Sequence, residues 1–490
     1  MPAKVELIAY ADRFGGDLAG LRGLLNGPLR GLFGGVHVLP FYRPYDGADA
    51  GFDPEDHTEV DERLGSWDDI AALSAEYRVM TDMIVNHVSS GSPQFQDWLA
   101  KGDASAFAGM FLSYGTAFPE GATEEALLRL YRPRPGLPFT PYLLGNGGKA
   151  LLWTTFTPRQ IDVDVRHPVT RGYLLRILDK LAAARVSHVR LDAIGYAVKT
   201  PGLTSFMTPD TVKFIGEVTA WCRERGLAVL VEVHSHYLHQ VQIAGQVDYV
   251  YDFALPPLIL HALTAADPGP LLTWQGLRPA NAVTVLDTHD GIGVIDVGPD
   301  ATDRSRPGLL GPGELARLVE AIHANSGGTS RQATGTAASN VDLYQVNCTF
   351  YDALGRDDGR YLLARALQFW TPGNPQVYYV GLLAGGNDMD LLARTNVGRD
   401  VNRHRYQPAE IEAALARPVV RALCRLIGFR NTHPAFEGRL TCSGNAANIE
   451  MSWARDGDEA VLRANLADGS AEVTWTEDGT RRSAPLAALP

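Results

Sequence analysis

Short apolar runs rich in β-branched and aromatic residues recur along the chain, and most are followed by an amphipathic segment with helical periodicity. The amphipathic segments include RGYLLRILDKLAAARV (171–186) and PDTVKFIGEVTAWCRERG (209–226). Alternating strands and helices predict a parallel sheet, because each helix returns the chain to the edge where the next strand begins. The predicted strands are KVELIAY near the start, GGVHVLPF (34–41), YRVMTDMIVN (77–86), VSHVRLDAI (186–194), GLAVLVEVHS (226–235), VDYVYDFALP (247–256), NAVTVLDTHD (281–290) and NPQVYYVGLL (374–383).

Strands of this kind, eight in number, are what an α/β fold needs to close into a (β/α)8 or TIM barrel. An open doubly wound sheet has the same local pattern and is the alternative. The count of eight and the charged residues at the strand ends favour the closed barrel.

Two connections are too long for simple turns, and long insertions in a compact domain are usually functional. Residues 88–166, after the third strand, are expected to form an insertion domain. Residues 291–358, after the seventh strand, are expected to form a second, lid-like insertion. The barrel would then comprise residues 1–87 and 167–435. In residues 436–490, short alternating runs separated by Asp-Gly turns predict a small C-terminal β domain.

The composition is that of an ordinary globular protein: 490 residues, 45% hydrophobic, 20% charged, with a net charge of −12. The acidic balance argues against binding nucleic acid or an anionic membrane, because both need a basic face. The four cysteines are scattered without a CxxC pair, so neither a zinc site nor a disulfide framework is expected. MPAKVELIAYADRFGG lacks a secretory signal pattern, and no apolar run is long enough to span a membrane. We therefore expect a cytoplasmic protein.

Charged side chains stand at the ends of several predicted strands, although burying a charge without a partner costs several kcal/mol. In a barrel these carboxyl-terminal ends meet at one mouth, where catalytic groups lie. The third strand ends with Asp82, Asn86 and His87, the fourth with Arg190 and Asp192, the fifth with Glu232 and His234, and the seventh with His289 and Asp290. A structural ion pair could explain any one of them, but examples at four equivalent positions indicate a site.

Three carboxylates at one mouth fit the chemistry of glycoside cleavage. One ionised acid can attack the anomeric carbon, and a second, kept protonated by its surroundings, can protonate the leaving oxygen. The third can orient sugar hydroxyls and favour the cationic transition state. Arg190 lies two residues before Asp192 on the same side of the strand, and is expected to hold Asp192 ionised, because a nearby cation lowers a carboxylate pKa.

Other chemistries remain open at this point. The three acids together with His87 and His289 could bind a metal ion for hydrolysis. HSHYLH (234–239) is rich in histidine, but its spacing fits neither a regular strand nor one face of a helix. GIGVID (291–296) resembles the start of a dinucleotide fingerprint, but Asp occupies the position of the third glycine.

VRLDAIGY, VEVHS and LDTHDG resemble sequence regions of the α-amylase-like retaining glycosidases. Within that group, residues 1 to about 435 are similar to the sucrose phosphorylase family, whereas the C-terminal domain resembles it only loosely. The stretches that carry this similarity are PYDGADAGFDPEDHTEVDERLGSWDD, YRPRPGLPFT, VYDFALPPL, VTVLDTHDGIGVIDVG, NVDLYQVN and GRDVNRH.

The resemblance implies a retaining transfer of glucosyl from sucrose to inorganic phosphate, which yields α-D-glucose 1-phosphate and D-fructose. It implies that Asp192 is the nucleophile, Glu232 the acid/base and Asp290 the transition-state stabiliser. The implied glucose pocket consists of Asp49, Phe52, His87, Phe156, Gln160, Arg190, His289 and Arg399. The implied second pocket, for fructose and phosphate in turn, consists of Tyr131, Arg134, Tyr196, His234, Asp342, Tyr344 and Gln345. No metal and no cofactor is implied, and the partners are small molecules, with the protein a monomer or a homodimer.

Some details of specificity stay open. Arg134, between two prolines, is expected to bind phosphate, because a guanidinium can hold two phosphate oxygens at once. Val341 stands where the family has Leu, and His236 stands where it has Tyr. Phosphorylases of glucosylglycerol, glucosylglycerate or sucrose 6-phosphate, and a sucrose hydrolase or transglucosidase, are alternatives, although YRPRPGLPF and DLYQ favour sucrose. A non-catalytic protein of this lineage would have lost catalytic acids, and all three are present.

Overall fold

Eight parallel strands close into a barrel in the computed structural model, which describes residues 4–47, 49–133, 136–301, 303, 305–337 and 344–490. Each strand pairs with its neighbours in chain order, and the last pairs with the first. The closed (β/α)8 barrel is therefore confirmed, and the open-sheet alternative is wrong. The strands are β1 (Glu6–Ala9), β2 (Gly35–Val38), β3 (Arg78–Ile84), β4 (His188–Asp192), β5 (Ala228–Val231), β6 (Tyr249–Asp252), β7 (Ala282–Thr284) and β8 (Asn374–Tyr378).

Each strand falls inside a predicted run but is shorter than it. The run 281–290 contains only three residues of strand, because its polar second half leaves the sheet at the barrel mouth. The run 374–383 ends as a strand at Tyr378 and continues as a helical turn. Gly381 lies in that turn, where a Cβ atom would be 1.9 Å from Asp287 Oδ2, so the turn packs directly against the segment that follows β7.

The helices cover the outside of the barrel and the connections. Several begin with a side-chain cap and a proline in the first turn: His167 caps the helix that begins at Pro168, and Thr208 caps the helix that begins at Pro209. In chain order the helices are α1 (Leu18–Asn26), α2 (Trp67–Glu76), α3 (Pro93–Lys101), α4 (Tyr114–Ala117), α5 (Glu124–Leu128), α6 (Pro168–Ala183), α7 (Pro209–Arg223), α8 (Tyr237–Ala244), α9 (Leu255–Ala265), α10 (Gly269–Leu277), α11 (Pro312–Asn325), α12 (Thr329–Ala337), α13 (Phe350–Ala353), α14 (Asp358–Trp370), α15 (Tyr379–Leu382), α16 (Met389–Thr395), α17 (Pro408–Leu415) and α18 (Pro418–Thr432). Short 3-10 turns lie at Gly102–Ala104, Ile194–Tyr196, Gly398–Asn402, Pro434–Glu437 and Leu486–Ala488.

The insertion after β3 has its own antiparallel ladders. His87–Ser89 pairs with Gln160–Asp162, and Phe139–Leu143 pairs with Lys149–Trp153. Leu112, Ala117, Phe118, Leu130 and Trp153 form a small apolar core there, separate from the core of the barrel. A further short ladder, Tyr42–Arg43 with Asp56–Val60, follows β2. The ladder of His87–Ser89 with Gln160–Asp162 brings His87 to the barrel mouth.

The described part of the insertion after β7 includes α11, α12 and α13 and one antiparallel pair of strands. That pair joins Ile292–Gly293 to Gln345–Val346. The ladder places Gln345 beside the segment that leaves β7.

The C-terminal segment is a five-stranded antiparallel sheet with alternating exposed and buried side chains. Its strands are β9 (Arg439–Asn445), β10 (Asn448–Arg455), β11 (Asp458–Asn465), β12 (Ala471–Glu477) and β13 (Thr480–Pro485). Trp453 donates its indole N–H to the carbonyl of Trp370, and Trp370 donates to the carbonyl of Ala460. The sheet is thus fixed to α14. Both insertions and the C-terminal β domain are confirmed, while their exact bounds at 88–166, 291–358 and 436–490 stay a prediction.

All four cysteines, Cys222, Cys348, Cys424 and Cys442, are free thiols. Among the described residues, no helix combines the length and the apolar character needed to cross a bilayer.

Candidate active site

Three acids lie at the carboxyl-terminal ends of the barrel strands. Asp192 is the last residue of β4, Glu232 directly follows β5, and Asp290 lies in the segment after β7. Their side chains are nearly buried, with exposures of 14%, 13% and 8%. The chain turns sharply after Asp192, because Ala193 takes a left-handed conformation (φ 54°) and its N–H donates to Glu232 at 3.4 Å. A non-glycine residue in this conformation is strained, and such strain is commonly found at functional sites.

Arg190 connects the acids of neighbouring strands. It is 2% exposed, and the register of β3 and β4 sets it directly opposite Asp82. Its Nη1 donates to a carboxylate oxygen of Asp82 and, at 2.9 Å, to Asp192 Oδ1, whereas Nη2 is 3.8 Å from Glu232 Oε1. Asp82 also contacts His37 at 2.9 Å. Although burial raises the pKa of Asp82, His37 and Arg190 lower it to about 2, so Asp82 is the fixed anion that anchors Arg190.

The charge state of Asp192 differs from the simple prediction. Burial raises its pKa well above the ordinary value; Arg190 lowers it, but Glu232, Asp82 and Asp290 raise it further. The prediction that Arg190 keeps Asp192 ionised is therefore incomplete, because it left out burial and the neighbouring acids. The buried Asp192 carboxyl therefore depends on the hydrogen bond from Arg190 to carry a negative charge.

Asp290 is surrounded by cationic and imidazole groups. Arg399 Nη1 is 2.8 Å from Asp290 Oδ1, and Arg403 and His289 reach the same oxygen at 3.9 and 3.8 Å. Burial alone would raise the pKa of Asp290, but Arg399, His289, His234 and Arg403 together bring it below the ordinary value. Asp290 is thus held as a carboxylate.

Aromatic and imidazole rings form the floor of the mouth. Phe52 stacks on His289 with ring centroids 4.5 Å apart and planes at 10°. Burial lowers the pKa of His289 to about 3, so its imidazole is neutral. Next to them, His87 Nε2 lies 3.1 Å from the carbonyl oxygen of Phe52 and 3.1 Å from Gln160 Nε2, and Gln160 donates to Asp49 at 3.3 Å. A flat ring beside hydrogen-bonding groups suits one face of a sugar.

A continuous aromatic wall rises from this floor. Phe156 contacts His87 and Tyr196 edge to face at 5.4 and 5.2 Å, and Tyr196 stacks on Tyr131 at 6.3 Å. Phe206 packs against both tyrosines, at 4.6 and 4.7 Å. The insertion after β3 and the 3-10 turn after β4 therefore build one side of the mouth together.

The opposite side is built from β5 and the insertion after β7. His234 stacks on Phe253 at 3.8 Å and meets Tyr344 edge to face at 5.7 Å. Gln345 Oε1 accepts hydrogen bonds from Gly291 N at 3.3 Å and Arg399 Nη2 at 3.4 Å.

The structure brings the predicted site residues into one connected mouth, apart from Arg134 and Asp342, which lie outside the described residues, as does Val341. Sequence reasoning missed other members: Asn402 and Arg403 hold the segment of Asp290 by donating to the carbonyls of Thr288 and His289 at 2.7 and 2.9 Å. Both belong to GRDVNRH, so their nearness to Arg399 was the available signal. Phe253 was likewise present in VYDFALPPL.

The geometry does not favour the two alternatives, a metal site for hydrolysis and a dinucleotide-binding motif. Glu232, His234 and Asp290 have ligand atoms within 4.8 Å of one another, but Arg190 and Arg399 already face these acids and would repel a further cation. The histidines of HSHYLH diverge to separate partners, His236 to the carbonyl of Pro307 and His239 to Ser235. Within GIGVID, Ile292–Gly293 forms one strand of an antiparallel pair rather than a strand leading into a helix, so the dinucleotide fingerprint is absent there.

Comparison with known proteins identifies the class. Residues 11–241 match the family described as "Alpha amylase, catalytic domain". The chain is 56% identical to sucrose phosphorylase of Agrobacterium vitis (97% of each chain) and 54% identical to that of Bifidobacterium adolescentis (100% and 99%). A solved sucrose 6F-phosphate phosphorylase from Thermoanaerobacter thermosaccharolyticum superposes with a TM-score of 0.90 at 34% identity, over 99% of each chain.

The fold and the acids at its mouth define an enzyme of the α-amylase type. Within this class, the chain belongs to the family of sucrose phosphorylases and related glucoside phosphorylases.

Proposed function

We propose that this enzyme is a sucrose phosphorylase, which transfers glucosyl from sucrose to inorganic phosphate with retention and releases fructose. The observation that carries the proposal is the trio of carboxylates, Asp192, Glu232 and Asp290, at one mouth in three different electrostatic environments. The choice of sucrose is supported by identities of 56% and 54% to relatives of that name, against 34% to the sucrose 6F-phosphate enzyme.

Asp192 is the nucleophile in this proposal. Its carboxylate accepts a charge-assisted hydrogen bond from Arg190 at 2.9 Å, whereas Arg190 lies 3.8 Å from Glu232. Arg190 therefore stabilises a negative charge on Asp192 more than on Glu232, and the role of proton donor falls to Glu232. Attack of Asp192 on the anomeric carbon forms a β-glucosyl ester and expels the fructosyl oxygen.

Glu232 is the acid and base. It donates its proton to the fructosyl oxygen in the first step, and in the second step it accepts the proton from a singly protonated phosphate that attacks the ester. Two inversions at the anomeric carbon restore the α configuration. Ala193 N–H, 3.4 Å from Glu232 Oε2, orients this carboxyl toward the space beside Asp192.

Asp290 remains ionised throughout, because Arg399, His289 and Arg403 surround it. A permanent carboxylate can accept hydrogen bonds from sugar hydroxyls and stabilise the positive charge that develops on the ring in the transition state. Neutral His289, stacked on Phe52, is able to donate to the same hydroxyls.

The glucose pocket in this proposal is the floor formed by Asp49, Phe52, His87, Phe156, Gln160, Arg190, His289 and Arg399. The pocket for fructose and phosphate lies between the aromatic wall and the insertion after β7, with Tyr131, Tyr196, His234, Tyr344 and Gln345. Arg134 and Asp342 stay predictions for this second pocket. The proposed chemistry requires no metal and no cofactor, since the acids and arginines of the site supply the charges that sugar and phosphate need.

The test is an assay of sucrose turnover with and without phosphate. The proposal expects α-glucose 1-phosphate in step with fructose, and only slow release of free glucose when phosphate is omitted. Equal turnover without phosphate would instead indicate a hydrolase. Parallel assays with glucosylglycerol, glucosylglycerate and sucrose 6-phosphate decide among the related phosphorylases, and sucrose should give the highest kcat/KM.

A further inference from the structure

Asp296 is a fully buried acid behind the second pocket, and its carboxylate connects three elements. One oxygen, Oδ2, is 3.0 Å from His234 Nδ1, at the end of β5. The other, Oδ1, accepts hydrogen bonds from Ser235 N and from Gln240 Nε2 of α8, each at 3.1 Å. The backbone at Gly293 lies close to the contact between Asp296 and His234. A Cβ atom on Gly293 would lie 2.3 Å from Asp296 Oδ2 and 3.1 Å from His234 Nδ1. Only glycine fits at this position without displacing the pair.

His234 is fixed in a single orientation. Its ring stacks on Phe253 at 3.8 Å with planes at 13°, and Nδ1 is engaged by Asp296. Among the described residues, its Nε2 has no hydrogen-bond partner although it is buried. That atom is 3.7 Å from Glu232 Oε1 and 4.0 Å from Asp290 Oδ2. A buried nitrogen without a partner, facing two acids of the mouth, is positioned for a ligand atom.

We propose that Asp296 is a positioning residue that acts through His234: it accepts the Nδ1–H hydrogen bond and so presents Nε2 to the oxygen exchanged beside Glu232. This inference rests on the proposed function, in which that oxygen belongs first to fructose and then to phosphate. Because the segment of Asp296 pairs with the strand of Gln345, the same contact aligns the second pocket with the acid/base.

The groups around His234 also favour its protonated form. Burial lowers its pKa, but Asp296, Glu232 and Asp290 raise it, and the net direction is above the ordinary value. Among the described residues, the other titratable ring packed against it is Tyr344. Burial raises the pKa of that phenol, which is therefore neutral. An imidazolium beside Glu232 is a suitable partner for a phosphate dianion that must enter a mouth containing several acids.

The test uses Asp296→Asn, which keeps the size of the side chain but removes its charge. The expected result is a roughly ten-fold or larger rise in the KM for phosphate, and a higher ratio of free glucose to glucose 1-phosphate at fixed phosphate. First-step turnover of α-glucosyl fluoride should change less than about three-fold, since fluoride needs no contact in the second pocket. Asp300→Asn is the matched control, because Asp300 is an equally buried acid of the same insertion that pairs with Arg306. The control should leave the ratio unchanged.

A double mutant separates positioning from a structural role. In a His234→Gln background, Asp296→Asn should alter the product ratio by less than about two-fold, because its effect passes through the ring. The same ratio change in both backgrounds would overturn the proposal, as would an unchanged phosphate KM in the single variant. If the wild-type enzyme itself makes no glucose 1-phosphate, the proposed function fails. An active wild type with no effect of Asp296→Asn defeats only this inference.

The wild-type enzyme provides a second readout that does not depend on folding of the variant. In protein with 15N-labelled histidine, the His234 signal, assigned by its loss in His234→Gln, should show a proton on Nδ1 at every pH. The ring should also become neutral at a higher pH than a free histidine does. A neutral ring protonated on Nε2 would contradict the proposal.

Discussion

Lys199 Nζ lies 2.7 Å from Asp162 Oδ2, and both side chains are buried. The same ammonium group donates to Asn86 Oδ1 at 2.8 Å and to the carbonyl oxygen of Tyr196. Asp162 belongs to the short strand that pairs with His87. This ion pair therefore joins the segment after β4 to the insertion after β3. It lies behind the imidazole of His87 and behind Tyr196 of the aromatic wall.

Removing the cation of this pair should destabilise the enzyme strongly. Lys199→Met leaves Asp162 buried without a counter-charge, and breaking a buried pair in this way costs about 3–5 kcal/mol. Urea denaturation should show this loss in the free energy of unfolding. The control is Lys101→Met, because Lys101 pairs with Asp97 on an exposed helix and its loss should hardly change the denaturation midpoint. Equal midpoints for the two variants would mean that the buried pair contributes no net stability.

Replacing the nucleophile should abolish turnover. Asp192→Asn cannot form the glucosyl ester, so kcat should fall by roughly 10³-fold or more with every donor, whatever its leaving group. Mass spectrometry of acid-quenched enzyme should detect a glucosyl adduct in the wild type and none in the variant. Asp179→Asn, on the exposed face of α6, is the control for protein quality. An adduct on the Asp192→Asn enzyme would assign the nucleophile elsewhere.

Glu232→Gln should lose activity in proportion to how much the leaving group needs a proton. With sucrose the loss should be roughly 10²–10⁴-fold, which is the usual contribution of general acid catalysis. With α-glucosyl fluoride the formation of the glucosyl enzyme should be far less affected. Stopped-flow release of fructose and of fluoride measures both steps. Equal losses for the two donors would remove Glu232 from the acid role.

The positions of the strands and of the three acids could be predicted from the sequence, because a barrel imposes regular spacing and gathers strand ends at one mouth. The ion pair of Lys199 could not, since its partner lies on another segment whose ladder follows no periodic pattern. The role of Asp296 was hidden in the same way: within GIGVID it marked only a missing glycine. The raised pKa of Asp192 depends on burial by several strands, which sequence spacing does not describe.

Chelation should leave the enzyme active. Glu232, His234 and Asp290 are close enough to bind a divalent cation, but Arg399 already neutralises Asp290 and Asp296 already engages His234. After dialysis against EDTA, kcat with sucrose and phosphate should change by less than about two-fold. Elemental analysis of the same sample gives the metal content. A stoichiometric metal whose removal stops turnover, and whose return restores it, would favour a metal-dependent mechanism.

Arg399 should keep protonation of Asp290 out of the acid limb of the pH profile. Burial raises the pKa of Asp290, and Arg399, at 2.8 Å, is the largest influence that lowers it. A carboxylate with a lowered pKa stays ionised until the pH falls to that value, so the acid limb of the wild-type enzyme is set by Asp192, whose pKa is raised, and not by Asp290. In Arg399→Gln the pKa of Asp290 rises, and activity should be lost at a higher pH than in the wild type.

The measurement is kcat/KM for sucrose from about pH 4 to pH 8, with Arg331→Gln as the control, because Arg331 pairs with Glu320 on the surface. The plateau should also fall, since Arg399 lines the proposed glucose pocket, but the diagnostic quantity is the position of the acid limb. A lower plateau with an unmoved limb would mean that Arg399 contacts the sugar without setting the charge of Asp290.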